Sequence, residues 1–175
     1  GRQSVEIYPQ VSGTISRLCV KEGQNVRKGQ TMFVIDQVPY QAALRTAVAN
    51  VQAAKAQVET ARLENESKQA LFEENVISEY DLSQSRNALA IAEAGLEQAK
   101  AQEINARNDL SYTELKSPVD GVVGTLPYRA GALVGPSIPQ PLTTVADIGQ
   151  MYVYFSMTEN QIRGLIRLYG SPDEV

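Results

Sequence analysis

Two kinds of hydrophobic spacing divide this chain. From Val38 to about Tyr112 apolar residues recur in heptads: counting by sevens from Leu44 gives Val51, Val58, Asn65 and Phe72, with Ala47, Ala54, Ala61 and Lys68 between them. A second run repeats the device with Leu82, Leu89, Leu96, Glu103 and Leu110, alternating with Ser85, Ala92, Ala99 and Ala106. Two such seams predict two helices packed on each other. The residues between 38 and 112 are rich in Ala, Gln, Glu, Leu and Lys, and Gly95 is the sole glycine there. Pro39 suits a first helical turn, where its missing N–H costs nothing. The link EENVIS, residues 73 to 78, is short enough to turn the second helix back antiparallel to the first. Ser78, with Asp81 three residues on, predicts an N-cap with an acid in the first turn. At roughly 35 residues per arm, 1.5 Å per residue makes a rod of about 50 Å.

The flanks follow a different pattern, short alternating runs punctuated by glycine. VSGTISRLCVKEGQNVRKGQTMFVID, residues 11 to 36, returns as VDGVVGTLPYRAGALVGPSIPQPLTTVAD, residues 119 to 147. One constant offset superposes Val11 on Val119, Gly13 on Gly121, Ile15 on Val123, Leu18 on Leu126, Gly23 on Gly131 and Val26 on Val134. Each half has too few strands to bury an apolar face alone, so residues 5 to 37 and 115 to 147 are expected to interlock as one β domain. Residues 38 to 114 are then an insertion held out into solvent. Gly13, Gly23, Gly121 and Gly131 are read as turn glycines, with Gly23 and Gly131 in equivalent tight turns at positive φ.

Composition removes several kinds of chemistry. The chain has 175 residues, no histidine and no tryptophan, so the usual general base, the usual metal ligand and histidine-dependent triads are absent. A net charge of −4 argues against a nucleic-acid surface. The lone Cys19 has no intramolecular partner, and with no neighbouring histidine or cysteine it reads as a bystander thiol. Glu73 and Glu74 are adjacent carboxylates at a helix end, and such pairs are usually only solvated. The glycines at 121, 124, 131 and 135 are not followed by a helix start, so turns and tight strand packing describe them better than a phosphate cradle. No bound cofactor or metal is expected. No apolar run approaches the ~20 residues that cross a bilayer. The abrupt start at GRQSVEIYP and stop at SPDEV read as a piece of something longer.

The tip of the rod breaks its own pattern. Asn65 and Lys68 interrupt the first seam, while Leu71, Phe72, Val76 and Ile77 put apolar side chains at a turn that solvent surrounds. Exposed apolar groups there suggest a docking surface. A plain plug of the hairpin end, above all by Phe72, is the competing reading.

The order PQVSGTISRLCVKEGQNVRKGQ, helical insert, then YTELKSPVDGVVGTLPYRAGALVG resembles the periplasmic adaptor subunits of tripartite efflux pumps, the membrane fusion proteins. The likeness covers residues 5 to about 170, and PQVSGTI with ADIGQMYVYFSMTENQIRGLIRL is more similar to adaptors of RND-type pumps than to those of ABC transporters. It implies a lipoyl-like, barrel-sandwich hybrid β domain, mixed with a long antiparallel coiled-coil hairpin. It also implies that residues 148 to 175 begin a β-barrel domain. In that family the tip meets an outer-membrane channel of the TolC type, through an Arg, a Leu four residues on and a Ser seven further. Here those positions fall on Ser67, Leu71 and Ser78, with Lys68 beside the missing Arg; Ile77, apolar at the turn, joins Lys68, Leu71 and Ser78 as a candidate docking residue. Lysine does not replace the bidentate guanidinium geometrically.

The resemblance further implies an inner-membrane RND-type transporter as partner, self-association into a hexamer, and a periplasmic site attached to the inner membrane by an N-terminal anchor absent from this chain. Two other functions stay in view. A biotinyl or lipoyl carrier needs a modifiable lysine between the half-motifs, where this chain has the insert and no lysine until Lys55. A free-standing coiled-coil scaffold leaves the repeated β halves unexplained.

Overall fold

The computed structural model describes residues 4–147. The β-barrel start expected at 148 to 175 lies outside the described residues. In chain order the elements are β1 (Ser4–Ile7), β2 (Gly13–Leu18), β3 (Asn25–Val26), β4 (Thr31–Ile35), α1 (Val38–Glu73), α2 (Glu79–Tyr112), β5 (Glu114–Lys116), β6 (Gly121–Val123), β7 (Leu133–Val134) and β8 (Thr143–Asp147). They build two four-stranded sheets, ordered β1-β8-β6-β3 and β5-β4-β2-β7. Exchanging the two halves of the chain converts one order into the other.

That exchange extends to single hydrogen bonds. Gly13 pairs with Val134, and its counterpart Gly121 pairs with Val26. The Gly131 N–H donates to Ile15 O at 2.8 Å, and the Gly23 N–H donates to Val123 O at 2.8 Å. Neither half is a unit by itself, since β1 pairs β8, β2 pairs β7, β3 pairs β6 and β4 pairs β5. Apolar residues from both halves, among them Ile15, Phe33, Ile35, Val123, Leu142 and Val145, form one buried cluster. Burial of such side chains stabilises by about 1.5–3 kcal/mol each, which small sheets need because their hydrogen bonds contribute little net.

The glycines divide into two roles. Gly23 and Gly131 lie between strands at φ 77° and 93°, the left-handed region that glycine enters without a Cβ clash. Gly13 and Gly121 correct the expectation of turns: they open strands β2 and β6. Closeness is what requires glycine there. A Cβ on Gly13 would stand 2.6 Å from Ile35 Cγ2, and one on Gly121 would stand 2.6 Å from Val145 Cγ1. Cys19 is exposed just past β2.

The hairpin leaves and re-enters the domain at neighbouring strands. Val34 in β4 pairs with Glu114 in β5, and the Ile35 N–H donates to Thr113 O at 2.8 Å. The insertion therefore ends slightly earlier than residue 114, because Thr113 caps α2 and Glu114 is already in the ladder. Gln37, the N-cap of α1, donates its amide to Thr113 Oγ1 at 2.9 Å. The Tyr40 hydroxyl donates to Ser12 O and ties the first turn of α1 to the loop before β2.

Along the rod the two seams meet layer by layer. Ser85 Oγ lies 3.0 Å from Asn65 Oδ1. Stepping seven residues in opposite directions from this contact sets Val58 against Ala92, Val51 against Ala99 and Leu44 against Ala106. The alternate layers set Ala61 against Leu89 and Ala54 against Leu96. Val51, Ala54, Ala99 and Leu96 indeed share one cluster. A large residue meets a small one at each of these layers, so the backbones approach closely and the core between them is thin.

Replacing Gly121 with Ala is expected to cost about 1–3 kcal/mol, since the new methyl meets β8, whereas Gly95→Ala, open on the face of α2, should stabilise by about 1 kcal/mol. Denaturant unfolding of both variants checks the pair. Val58→Asp buries a carboxylate in the seam, where Val58 is 5% exposed. It should cost about 3 kcal/mol and lower helicity by circular dichroism, and unchanged melting would contradict the seam.

Candidate docking tip

The turn between the helices is built by a helix stop and a helix start. The α1 helix ends in a Schellman motif: the Asn75 N–H donates to Phe72 O at 3.0 Å and the Val76 N–H to Leu71 O at 2.9 Å. Asn75 takes φ 60°, the left-handed conformation that this motif demands and that Asn tolerates better than other side chains. Leu71 and Val76 occupy the two positions that commonly touch in this motif. The α2 helix starts at Ser78, with φ −78° and ψ 160°. The Asp81 N–H donates to Ser78 Oγ at 3.2 Å, and the Ser78 hydroxyl donates to Asp81 Oδ2 at 3.0 Å. Glu79 and Asp81 place negative charge at the positive end of α2.

Beneath this crown lies a plug. Leu82 is 1% exposed, and the register sets it opposite Lys68, which is half-buried on the seam side of α1. Phe72 and Ile77 are half-buried as well. One layer further down, Asn65 meets Ser85, whose hydroxyl also lies 2.8 Å from Leu82 O, and Arg86 donates to Gln69 Oε1 at 3.0 Å. These side-chain bonds join the helices where the apolar seam stops.

The residues singled out for docking therefore sit differently from one another. Leu71 is 37% exposed and beside the turn. Ile77 is shared between the plug and the surface. Lys68 lies behind the tip rather than on it. Ser78 is exposed, yet both directions of its hydroxyl bonding serve the cap. Two apolar groups are far more open: Val76 at 65% and Tyr80 at 70%. Tyr80 did not stand out in the sequence, although its place two residues before the seam position Leu82 turns it outward. Two concavities elsewhere among the described residues are open to solvent, a groove of about 320 Å³ along Ala56, Gln57, Thr60 and Glu64 and a cleft of about 220 Å³ between the edge strands β1 and β5.

Two interlocked sheets interrupted by a rooted antiparallel hairpin define a barrel-sandwich hybrid domain with a helical insertion. The family model for the barrel-sandwich hybrid domain of RND membrane fusion proteins (RND MFP) matches residues 3–146, and the chain belongs to that family. It is 33% identical over 162 residues to the efflux pump periplasmic linker BepF of Brucella suis, across 93% of this chain and 39% of that protein. It is 34% identical over 148 residues to the multidrug resistance protein MdtE of Escherichia coli, across 85% of this chain and 38% of the relative. Among solved structures, a MacA–MexA chimera containing the Pseudomonas aeruginosa MexA α-hairpin domain superposes with a TM-score of 0.54 at 32% identity, covering 83% of this chain and 46% of the chimera. The chain thus spans about two fifths of the length of these curated relatives.

The cap geometry sets an expected outcome of its own. Ser78→Ala removes the acceptor for the Asp81 N–H and should cost about 1 kcal/mol, and Asn75→Val, forced to positive φ, about 1–2 kcal/mol. Thermal unfolding of the two variants measures both, and no change in either would contradict the stop and start described.

Proposed function

We propose that this chain is the hairpin-bearing part of a non-enzymatic periplasmic adaptor that links an inner-membrane RND-type efflux transporter to an outer-membrane channel. The β domain supports the rod, and the tip makes end-on contact with the channel through Leu71 and Ile77, on a turn that Ser78 caps and with Lys68 one layer behind it. The carrying observation is the exposure of apolar side chains at the end of a rod of about 50 Å, whose other end is hydrogen-bonded into a split β domain. The names of the relatives, a periplasmic linker and a multidrug resistance protein, support the same reading.

A tip this small contacts little area. Useful affinity follows only from several copies engaging at once, which favours a ring of adaptors, a hexamer in the resemblance drawn above. Attachment to the inner membrane belongs to the same proposal, through a segment preceding this chain in the longer protein. No helix among the described residues is long and apolar enough to cross a membrane.

Efflux complementation by the full-length protein tests the reading. Leu71→Asp should abolish export and copurification with the channel while circular dichroism stays that of the wild type. Gln57→Glu, on the middle of the rod, should leave both intact. Equal loss from the two positions, or none from either, would favour a plain spacer.

A further inference from the structure

We propose that the tip docks through an apolar crown of Val76 and Tyr80 flanked by carboxylates that have no ion-pair partner, and that the surface receiving it is an apolar socket rimmed by lysine or arginine. This rests on the end-on docking proposed above and supplies the chemistry of the partner. Val76 and Tyr80 carry the apolar part, being 65% and 70% exposed at the end of the rod. The Tyr80 hydroxyl accepts from Gln84 Nε2 at 3.1 Å, which holds the ring on the first turn of α2.

Charge identifies the occupant. From residue 69 to residue 85 the chain has Glu73, Glu74, Glu79 and Asp81 and no lysine or arginine. None of the four forms an ion pair among the described residues: Glu73 accepts from the Gln69 amide and Asp81 from the Ser78 hydroxyl. On the shaft Glu59, Glu97 and Glu103 each hold a neighbouring cation while Glu64, Glu66, Glu93 and Asp109 do not among the described residues, so what sets the tip apart is that its acidic run contains no lysine or arginine. Nor do the tip carboxylates converge, since no group of three potential ligands able to hold a metal ion is found among the described residues. All four lie within three residues of Val76 or Tyr80 along the chain.

Two of these charges work against the fold. Glu79 and Asp81 are accounted for by the N-terminus of α2. Glu73 and Glu74 sit in the last turn and C-cap of α1, where exposed carbonyls already make the helix end negative and where no basic residue offsets them. A cation would serve the helix better there. A local choice that opposes stability marks a functional surface, and here the missing counter-charge is external. The same charges repel a second copy's tip and an anionic lipid surface, which leaves a basic protein rim as the complement.

The experiment uses full-length protein and a detergent-solubilised outer-membrane channel of the TolC type from the same host, with retention measured at rising salt. The E73K/E74K variant should melt higher than wild type, through relief of the helix end, yet lose channel retention about tenfold or more. E73Q/E74Q should fall between them. Wild-type retention should weaken as salt screens the rim, and V76S/Y80S should lose retention with helicity unchanged. Wild-type retention by E73K/E74K, or indifference of the wild type to salt, overturns the basic socket, while loss in V76S/Y80S would still uphold end-on docking. Full retention by both double variants overturns the two proposals together.

Discussion

The pairing of β4 with β5 is the constraint on which the rest depends. It joins Val34 to Glu114 across the whole helical insertion, and without it neither half of the β domain has a closed core. Loop closure costs only about 0.6 kcal/mol more per doubling of length, yet ordering so long a segment as coil would delay the domain. An antiparallel hairpin solves this locally, because once α1 and α2 pack, their outer ends at residues 38 and 112 stand side by side. The rod then acts as a short loop for the sheets. In return the sheets hold the rod, through Gln37 on Thr113 and Tyr40 on Ser12.

The rod trades core volume for slenderness. Leucine or valine against alanine brings two backbones close, at the cost of little apolar area per layer, so isolated α1 and α2 would be marginal helices beyond their mutual contact. Toward the tip the apolar layers give way to Asn65 with Ser85 and Gln69 with Arg86, and orientation passes from packing to hydrogen bonds. The Schellman stop and the Ser78 cap finish the turn with backbone and small polar groups, over a plug of Leu82 and the half-buried Phe72 and Ile77. Leu71, Val76 and Tyr80 are left open, in a setting whose carboxylates at the end of α1 oppose helix stability. Fold and surface are thus separable there, with backbone and small polar groups making the turn and larger side chains facing outward.

Much of this was legible in the chain because it depends on period. Each of the heptad positions read from Leu44 and Leu82 is buried or half-buried, and the glycine offset located the equivalent turns of Gly23 and Gly131. Period alone carries no distance between strands. That is why Gly13 and Gly121, glycines for want of space beside Ile35 and Val145, look like turns in the sequence. Ser78 was legible as a cap and as a docking residue at once, since the same hydroxyl suits either, and only geometry shows it bonded to Asp81. Tyr80 gives no signal in the sequence, because one aromatic off the seam has no pattern.

The most direct test of the account is a photocrosslinking scan along the hairpin of the full-length protein in its host, with the reactive side chain placed in turn at 71, 76, 80, 91 and 104. Ile91 and Ile104 are exposed and apolar like the tip, so they control for stickiness. The account predicts adducts to an outer-membrane channel from 71, 76 and 80 and none from 91 or 104. Adducts spread evenly along the rod, or channel adducts from 91 and 104 alone, would contradict end-on docking.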